Sequence, residues 1–166
     1  MQKKIFLVRH AKTEEGSLEK KDFDRVLTNR GLQDATRLGK YCSSNYSKPD
    51  QVLSSDAARA FATAELIASQ VGYEISRIHI NHEIYQASVR TLLQLVNDFK
   101  DDWNSVMIVG HNPPINYLSE YLSGADIGHM NTGSCAVINF ESDSWAEISQ
   151  NSGELEEYIV AKKLDN

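Results

Sequence analysis

The stretch Ile5-Phe6-Leu7-Val8-Arg9-His10, near the start of the chain, decides the fold. Four consecutive apolar residues are the pattern of a short strand covered on both faces, as in the parallel sheets of α/β proteins. The run stops on an arginine and a histidine, polar groups that a buried strand tolerates only where partners are at hand. A second run, Val106-Met107-Ile108-Val109, stops in the same way on Gly110-His111-Asn112. Between them, Gln51-Val52-Leu53 reads as another strand, leading through Ser54-Ser55-Asp56 into a segment that holds Arg59. Ligands in open α/β sheets sit beyond the carboxyl ends of the strands. Parallel pairing of these three strands would therefore gather His10, His111, Arg9 and Arg59 along one rim.

Helical patterns fill the intervals. Leu32, Ala35, Leu38, Gly39 and Cys42 recur at helical spacing behind Thr28, a fitting N-cap. Asp56 is expected to open a helix carrying Ala60, Phe61, Ala64, Ile67, Ala68 and Val71 and stopped by Gly72. Ser88 caps Leu92, Leu93, Val96 and Phe99, while Pro113-Pro114 starts a turn continued by Ile115, Leu118 and Leu122 up to Gly124. Tyr117 and Tyr121 are read as core packing in that last helix. Residues 75–80 are β-branched and predict a strand. Residues 136–140 and 145–148 predict a closing strand pair around Glu141-Ser142-Asp143-Ser144. Residues 11–26 form a polar loop, and the charged tail 153–166 has no assignment. The expected architecture is α/β, a three-layer sandwich with a mostly parallel central sheet, in a single domain spanning 1–166.

Composition narrows the function. A chain of 166 residues can bury roughly 70% of the surface its unfolded form exposes, so it needs no disulfide framework. With 41% hydrophobic and 24% charged residues the balance is globular. A net charge of -6 excludes a non-specific nucleic-acid binder and a polybasic membrane anchor. Cys42 and Cys135 lack any CxxC spacing and read as small core residues in a reducing compartment. The first apolar run is too short for a signal peptide, and no stretch approaches the ~20 apolar residues of a membrane span. The expectation is a cytoplasmic protein without nucleic-acid or membrane partners. His79, His82 and Glu83 lie in a strand-to-loop segment with no cysteine or third histidine nearby, and catalytic zinc needs three protein ligands, so neither a metal nor a cofactor is expected.

Two arginines and two histidines on one rim make a local cationic pocket in an acidic chain. Arginine presents a rigid fork to phosphate oxygens and stays charged at working pH. A neutral imidazole is a competent nucleophile, and neighbouring cations favour its neutral form. Phosphoryl transfer suits such a set, since its catalysis is mostly positioning and charge stabilisation.

The ordered set Arg9-His10, Ser54-Ser55-x-x-x-Arg59 and Gly110-His111-Asn112 resembles the histidine phosphatase superfamily. Asp24-Arg25-x-Leu27-Thr28-x-x-Gly31 and the short length resemble its SixA-type phosphohistidine phosphatases. The resemblance implies a phosphoglycerate mutase-like fold and a phosphatase working through a covalent phosphohistidine. His10 matches the nucleophile. Arg9, Arg59 and His111 match the rest of the phosphate pocket, and Asn112 adjoins it as a substrate contact. Glu83 matches the position of an acidic proton donor, with Asp22 and Asp24 in the first loop as competitors. The implied substrate is a phosphohistidine protein, the absence of a long lid insertion agreeing with a protruding side chain. The alternatives are a phosphatase or mutase of a small phosphate ester, and a non-catalytic phosphate-binding module. His129 is placed near the mouth, and Arg25, Arg30 and Arg37 on a solvated face from which Arg25 approaches an anionic substrate.

Overall fold

The computed structural model describes residues 2–164; Met1, Asp165 and Asn166, the ends of the expected 1–166 domain, lie outside the described residues. Among the described residues six strands form one sheet: β1 (Gln2–Arg9), β2 (Gln51–Ser54), β3 (His79–Ile80), β4 (Ser105–Gly110), β5 (Ser134–Glu141) and β6 (Glu154–Val160). The same residues hold four α-helices: α1 (Asn29–Asn45), α2 (Ala58–Val71), α3 (Val89–Asn97) and α4 (Pro114–Ser123). The strand order is β3-β2-β4-β1-β5-β6. Pairs β1–β4, β4–β2 and β2–β3 are parallel, and β1–β5 and β5–β6 antiparallel.

Alternation along β1 explains why its apolar run is continuous. Ile5 and Leu7 join one core with Leu92 and Val96 of α3 and Ile115 and Leu118 of α4. Phe6 and Val8 join a second core with Leu38 of α1 and Ala60, Ala64 and Ile67 of α2. Two helices on each face make the three layers. Caps set the helix ends as expected. Thr28 accepts from the Gly31 N–H at 3.0 Å and Ser88 from the Thr91 N–H at 3.1 Å. Gly72 and Gly124 close α2 and α4 at φ 80° and 71°, the left-handed region that glycine enters without strain.

Three segments depart from expectation. Residues 75–80 form a 3-10 turn, Ile75–Arg77, and only the two-residue β3. β3 is the sheet edge, and of the three isoleucines in this segment only Ile78 is buried, while Ile75 and Ile80 are exposed. Residues 145–148 are not a strand either. Ser144 accepts from the Ala146 N–H and turns the chain into a 3-10 helix, Trp145–Glu147, which buries Trp145 completely. The partner of β5 is instead β6, from the unassigned tail. α2 begins at Ala58, with Ala57 rather than Asp56 at its N-cap. Tyr117 is exposed while Leu118 and Leu122 fill the core, so only part of that stripe packs inward. Cys42 and Cys135 are buried free thiols. Among the described residues no helix is long and apolar enough to cross a membrane.

Candidate active site

The parallel registers Arg9↔Gly110 and Ser54↔Val109 bring the ends of β1, β4 and β2 level. Two backbone bonds carry the alignment one residue further: His10 N–H to Gly110 O at 3.1 Å and Ser55 N–H to Val109 O at 3.0 Å. His10, Ser55 and His111 are thereby neighbours, and the rings of His10 and His111 lie 5.2 Å apart. α2, which starts just beyond Ser55, places Arg59 beside them. The Arg59 Nε lies 3.3 Å from His10 Nε2.

Hydrogen bonding assigns the His10 proton. Nδ1 lies 2.8 Å from the Ala11 carbonyl, which can only accept, so Nδ1 carries the hydrogen. Nε2 is left with its lone pair, toward which Arg59 Nε–H is directed. Burial lowers the His10 pKa to about 3, with His111, Arg59 and Arg9 adding smaller pushes in the same direction. His111 falls to about 4, again chiefly through burial and then the Arg59 charge. Both rings are therefore neutral at neutral pH. His111 Nε2 is 2.8 Å from Ser55 Oγ, which also accepts from Ala57 N–H.

Arg9 donates to the Met130 carbonyl at 2.8 Å and lies 3.4 Å from His129 Nε2, which puts His129 at the rim. Asn112 donates to the same carbonyl at 3.2 Å. Arg9 Nε and His111 Nδ1 are buried without a hydrogen-bond partner among the described residues. Leaving a buried polar group unpaired costs about 1–3 kcal/mol, a cost that an arriving anion offsets.

Glu83 is not brought into this cluster. It is exposed on the 3-10 turn His82–Ile84. The carboxylate at Arg59 is Asp22, which accepts from Arg59 at 3.0 Å and from the Tyr85 hydroxyl at 2.7 Å. The Tyr85 bond leads in holding the Asp22 pKa down, to about 2, helped by Arg25 and Arg59. Sequence reasoning weighed Asp22 only as a proton donor. Its service to Arg59 and the Ser55–His111 bond had no signal beyond their positions. Among the described residues no group of His, Cys, Asp and Glu is placed to hold a metal ion. His79 contacts Gln51 and His82 contacts Asp56.

The sequence profile described as "Histidine phosphatase superfamily (branch 1)" matches residues 5–86. The structure assigned as the phosphohistidine phosphatase SixA from Nakamurella multipartitia is similar with TM-score 0.81 and 26% identity, covering 96% of each chain. A second structure so assigned, from Agrobacterium tumefaciens, has TM-score 0.79 and 26% identity over 95% of this chain and 97% of that one. The chain belongs to the histidine phosphatase superfamily. An uncharacterized chloroplastic protein of Arabidopsis thaliana shares 28% identity over 159 residues, 91% of this chain and 72% of that protein. The sheet and its two helical layers are the phosphoglycerate mutase-like fold of this superfamily, and the chain is a phosphatase.

The cluster of His10, His111, Arg9 and Arg59 opens into a cavity of about 620 Å³. Arg9, His10, Arg59, His111 and Asn112 line its inner part. Among the described lining residues the one carboxylate is Asp34, buried and shared between Arg30 at 3.1 Å and Arg37 at 3.4 Å.

Proposed function

We propose that this phosphatase hydrolyses phosphohistidine on a protein through a covalent phosphoryl intermediate on His10, within one domain spanning 1–166. His10 Nε2 attacks phosphorus, and the bond from phosphorus to the substrate imidazole breaks. Water then attacks the phosphoryl group on Nε2, releasing phosphate and restoring the His10 lone pair. The neutral, Nδ1-protonated ring supports this role, since a lone pair on Nε2 is the nucleophile's requirement. Arg9 and Arg59 hold the phosphoryl oxygens as charged forks, joined by His111 and Asn112.

The observation that carries the substrate reading is that no carboxylic acid is free to donate among the described residues lining the cavity or contacting Arg59. Asp34 is committed to two arginines, and Asp22 is held ionised. An alkoxide leaving from a phosphate ester needs a proton in the transition state. A leaving imidazole needs less help, because its second ring nitrogen takes a proton directly from solvent.

The test compares a phosphohistidine peptide with p-nitrophenyl phosphate and a simple alkyl phosphate at pH 7. Phosphohistidine should turn over with kcat/KM at least about 100-fold above the alkyl ester, the scale on which general-acid help normally contributes. His10→Ala should abolish both turnover and an acid-labile, base-stable label in the trapped enzyme. Equal or faster hydrolysis of the alkyl ester would overturn the substrate reading, and retained labelling in His10→Ala would overturn the nucleophile.

A further inference from the structure

Beyond the two arginines of the inner site, the cavity wall carries Lys12, Arg25, Arg30 and Lys162. Three of these come from segments that backbone bonds tie to the chain leaving β1. Lys12 lies two residues past His10, and its carbonyl accepts from Thr28 N–H at 3.0 Å, which seats the first turn of α1 and hence Arg30 beside it. Gly133 N–H donates to His10 O at 2.9 Å, and Ala161 N–H donates to Gly133 O at 3.0 Å, which brings Lys162 to the same wall. Arg25 is already engaged with Asp22, Thr13 and the Glu14 carbonyl. Lys12 and Lys162 are exposed, and among the described residues neither has a carboxylate partner.

A phosphoryl group brings about two negative charges, which Arg9 and Arg59 meet in the inner site, Arg59 while also paired with Asp22. Lys12 and Lys162 add positive charge that this ligand does not use, in a chain whose net charge is -6, and Arg30, paired through Nε with Asp34 at 3.1 Å, stands on the same wall. Such a concentration calls for a second anionic group in the substrate.

We infer that Lys12, Arg30 and Lys162 form a second anion subsite that receives carboxylates flanking the phosphohistidine of an acidic protein segment. The inference rests on the phosphohistidine-protein reading and names the kind of protein. Its chemistry favours carboxylates of a polypeptide over a second phosphate of a small molecule. A phosphate seat is ordinarily built from arginine forks and free amides. Here the α1 terminus is already capped, Gly31 N–H donating to Thr28, and two of the three cations are lysines on flexible stems. Lysine point charges adapt to carboxylates whose positions vary along a segment.

The probes are two phosphohistidine peptides, identical except that glutamates beside the phosphohistidine are glutamines in the second. Free phosphohistidine is the third substrate. The wild-type enzyme should prefer the glutamate peptide by about tenfold in kcat/KM, the effect of roughly two well-placed charge pairs. In Lys12→Gln/Lys162→Gln the preference should collapse toward one, through KM, while free phosphohistidine turns over unchanged. Lys12→Arg/Lys162→Arg should keep the preference. Equal wild-type rates on the two peptides, or a preference that survives the glutamine variant, would overturn the subsite and leave the phosphohistidine reading standing. Failure to hydrolyse any of the three substrates would overturn that reading, and the subsite with it. Loss of activity of the glutamine variant on a small bisphosphate, with both peptides unaffected, would reassign the wall to a small-molecule phosphate and equally overturn the inference.

Discussion

Arg59 divides its guanidinium between two tasks: Nε lies toward His10, while the terminal nitrogens are held by the Asp22 carbonyl and carboxylate. Tyr85 steadies the same carboxylate, and its ring lies beneath the guanidinium with 5.9 Å between carbon and centroid. Asp22 is thus placed to position Arg59, the arginine proposed to hold the phosphoryl group. Asp22→Asn keeps the shape but removes the charge, and should lower kcat by about tenfold with little change in KM, as misorientation of a positioned group does. Glu83→Gln, altering an exposed turn, should change kcat less than about twofold, as surface substitutions usually do. The reverse ranking in steady-state assays would make Glu83 the proton donor. The histidines carry a second prediction at this scale. In the unfolded chain each imidazole binds a proton near its ordinary 6.5, whereas folded His10 does so only at about 3 and His111 at about 4. Across that window the unfolded chain holds more protons, so stability falls as pH drops from 6.5 and is fully present above it. The urea midpoint should therefore be lower at pH 4.5 than at pH 7, and His10→Asn should flatten the slope. Over the same range kcat should stay level, because His10 remains neutral; a midpoint indifferent to pH would mean that the native imidazoles titrate normally.

At the level of elements, the site depends on how closely α1 approaches the loop after β1. A Cβ at Gly31 would stand 2.1 Å from the Lys12 carbonyl oxygen, so the first turn of α1 can rest there only on glycine. Gly31→Ala should destabilise the protein by roughly 2–3 kcal/mol, as overpacking against immovable backbone does. The same variant should weaken turnover by shifting the segment between His10 and Thr13; unchanged melting would mean that α1 is free to move. The glycine of Leu27-Thr28-x-x-Gly31 was legible as part of a motif, but its reason was not, because the contact joins residues 19 apart in the chain. The strand ends were legible for a physical cause. β1 and β4 are covered on both faces, so their runs are purely apolar, and the polar residues that end them mark the rim. β6 was not, because it is an edge strand whose Glu154, Glu156 and Glu157 hide its pattern among the charges of the tail. Residues 145–148 misled for the opposite reason: Trp145 is buried as any core strand residue would be, but a serine-capped turn delivers it. The convergence of Arg9, His10 and His111 could be read from strand ends, and that of Arg59 from the helix that follows the end of β2. Asp22 could not, since it reaches Arg59 through a 3-10 turn inside a polar loop that has no periodicity to reveal its course.

For the molecule as a whole, the sign of the net charge and the sign of the cavity oppose each other. At a distance an acidic partner meets a chain of charge -6; at contact it meets Arg9, Arg59, Lys12, Arg30 and Lys162. Salt separates the two effects, because exposed charges farther apart than about 10 Å are largely screened at 0.1 M, whereas the partly buried inner contacts are screened much less. For the glutamate-flanked phosphohistidine peptide, screening relieves the distant repulsion and weakens the exposed lysine contacts together. Direct contacts are the stronger of the two, so wild-type kcat/KM should fall modestly, by about threefold, between ~0.05 and ~0.5 M salt. In Lys12→Gln/Lys162→Gln the attraction is cut back while the chain becomes two charges more negative. The repulsive part then dominates, and kcat/KM for the same peptide should rise with salt. Free phosphohistidine, which touches only the inner arginines, should show one shallow dependence in both proteins. A parallel fall for wild type and variant would mean that the attraction resides in the inner arginines alone, and that the outer wall of the cavity has no part in choosing the substrate.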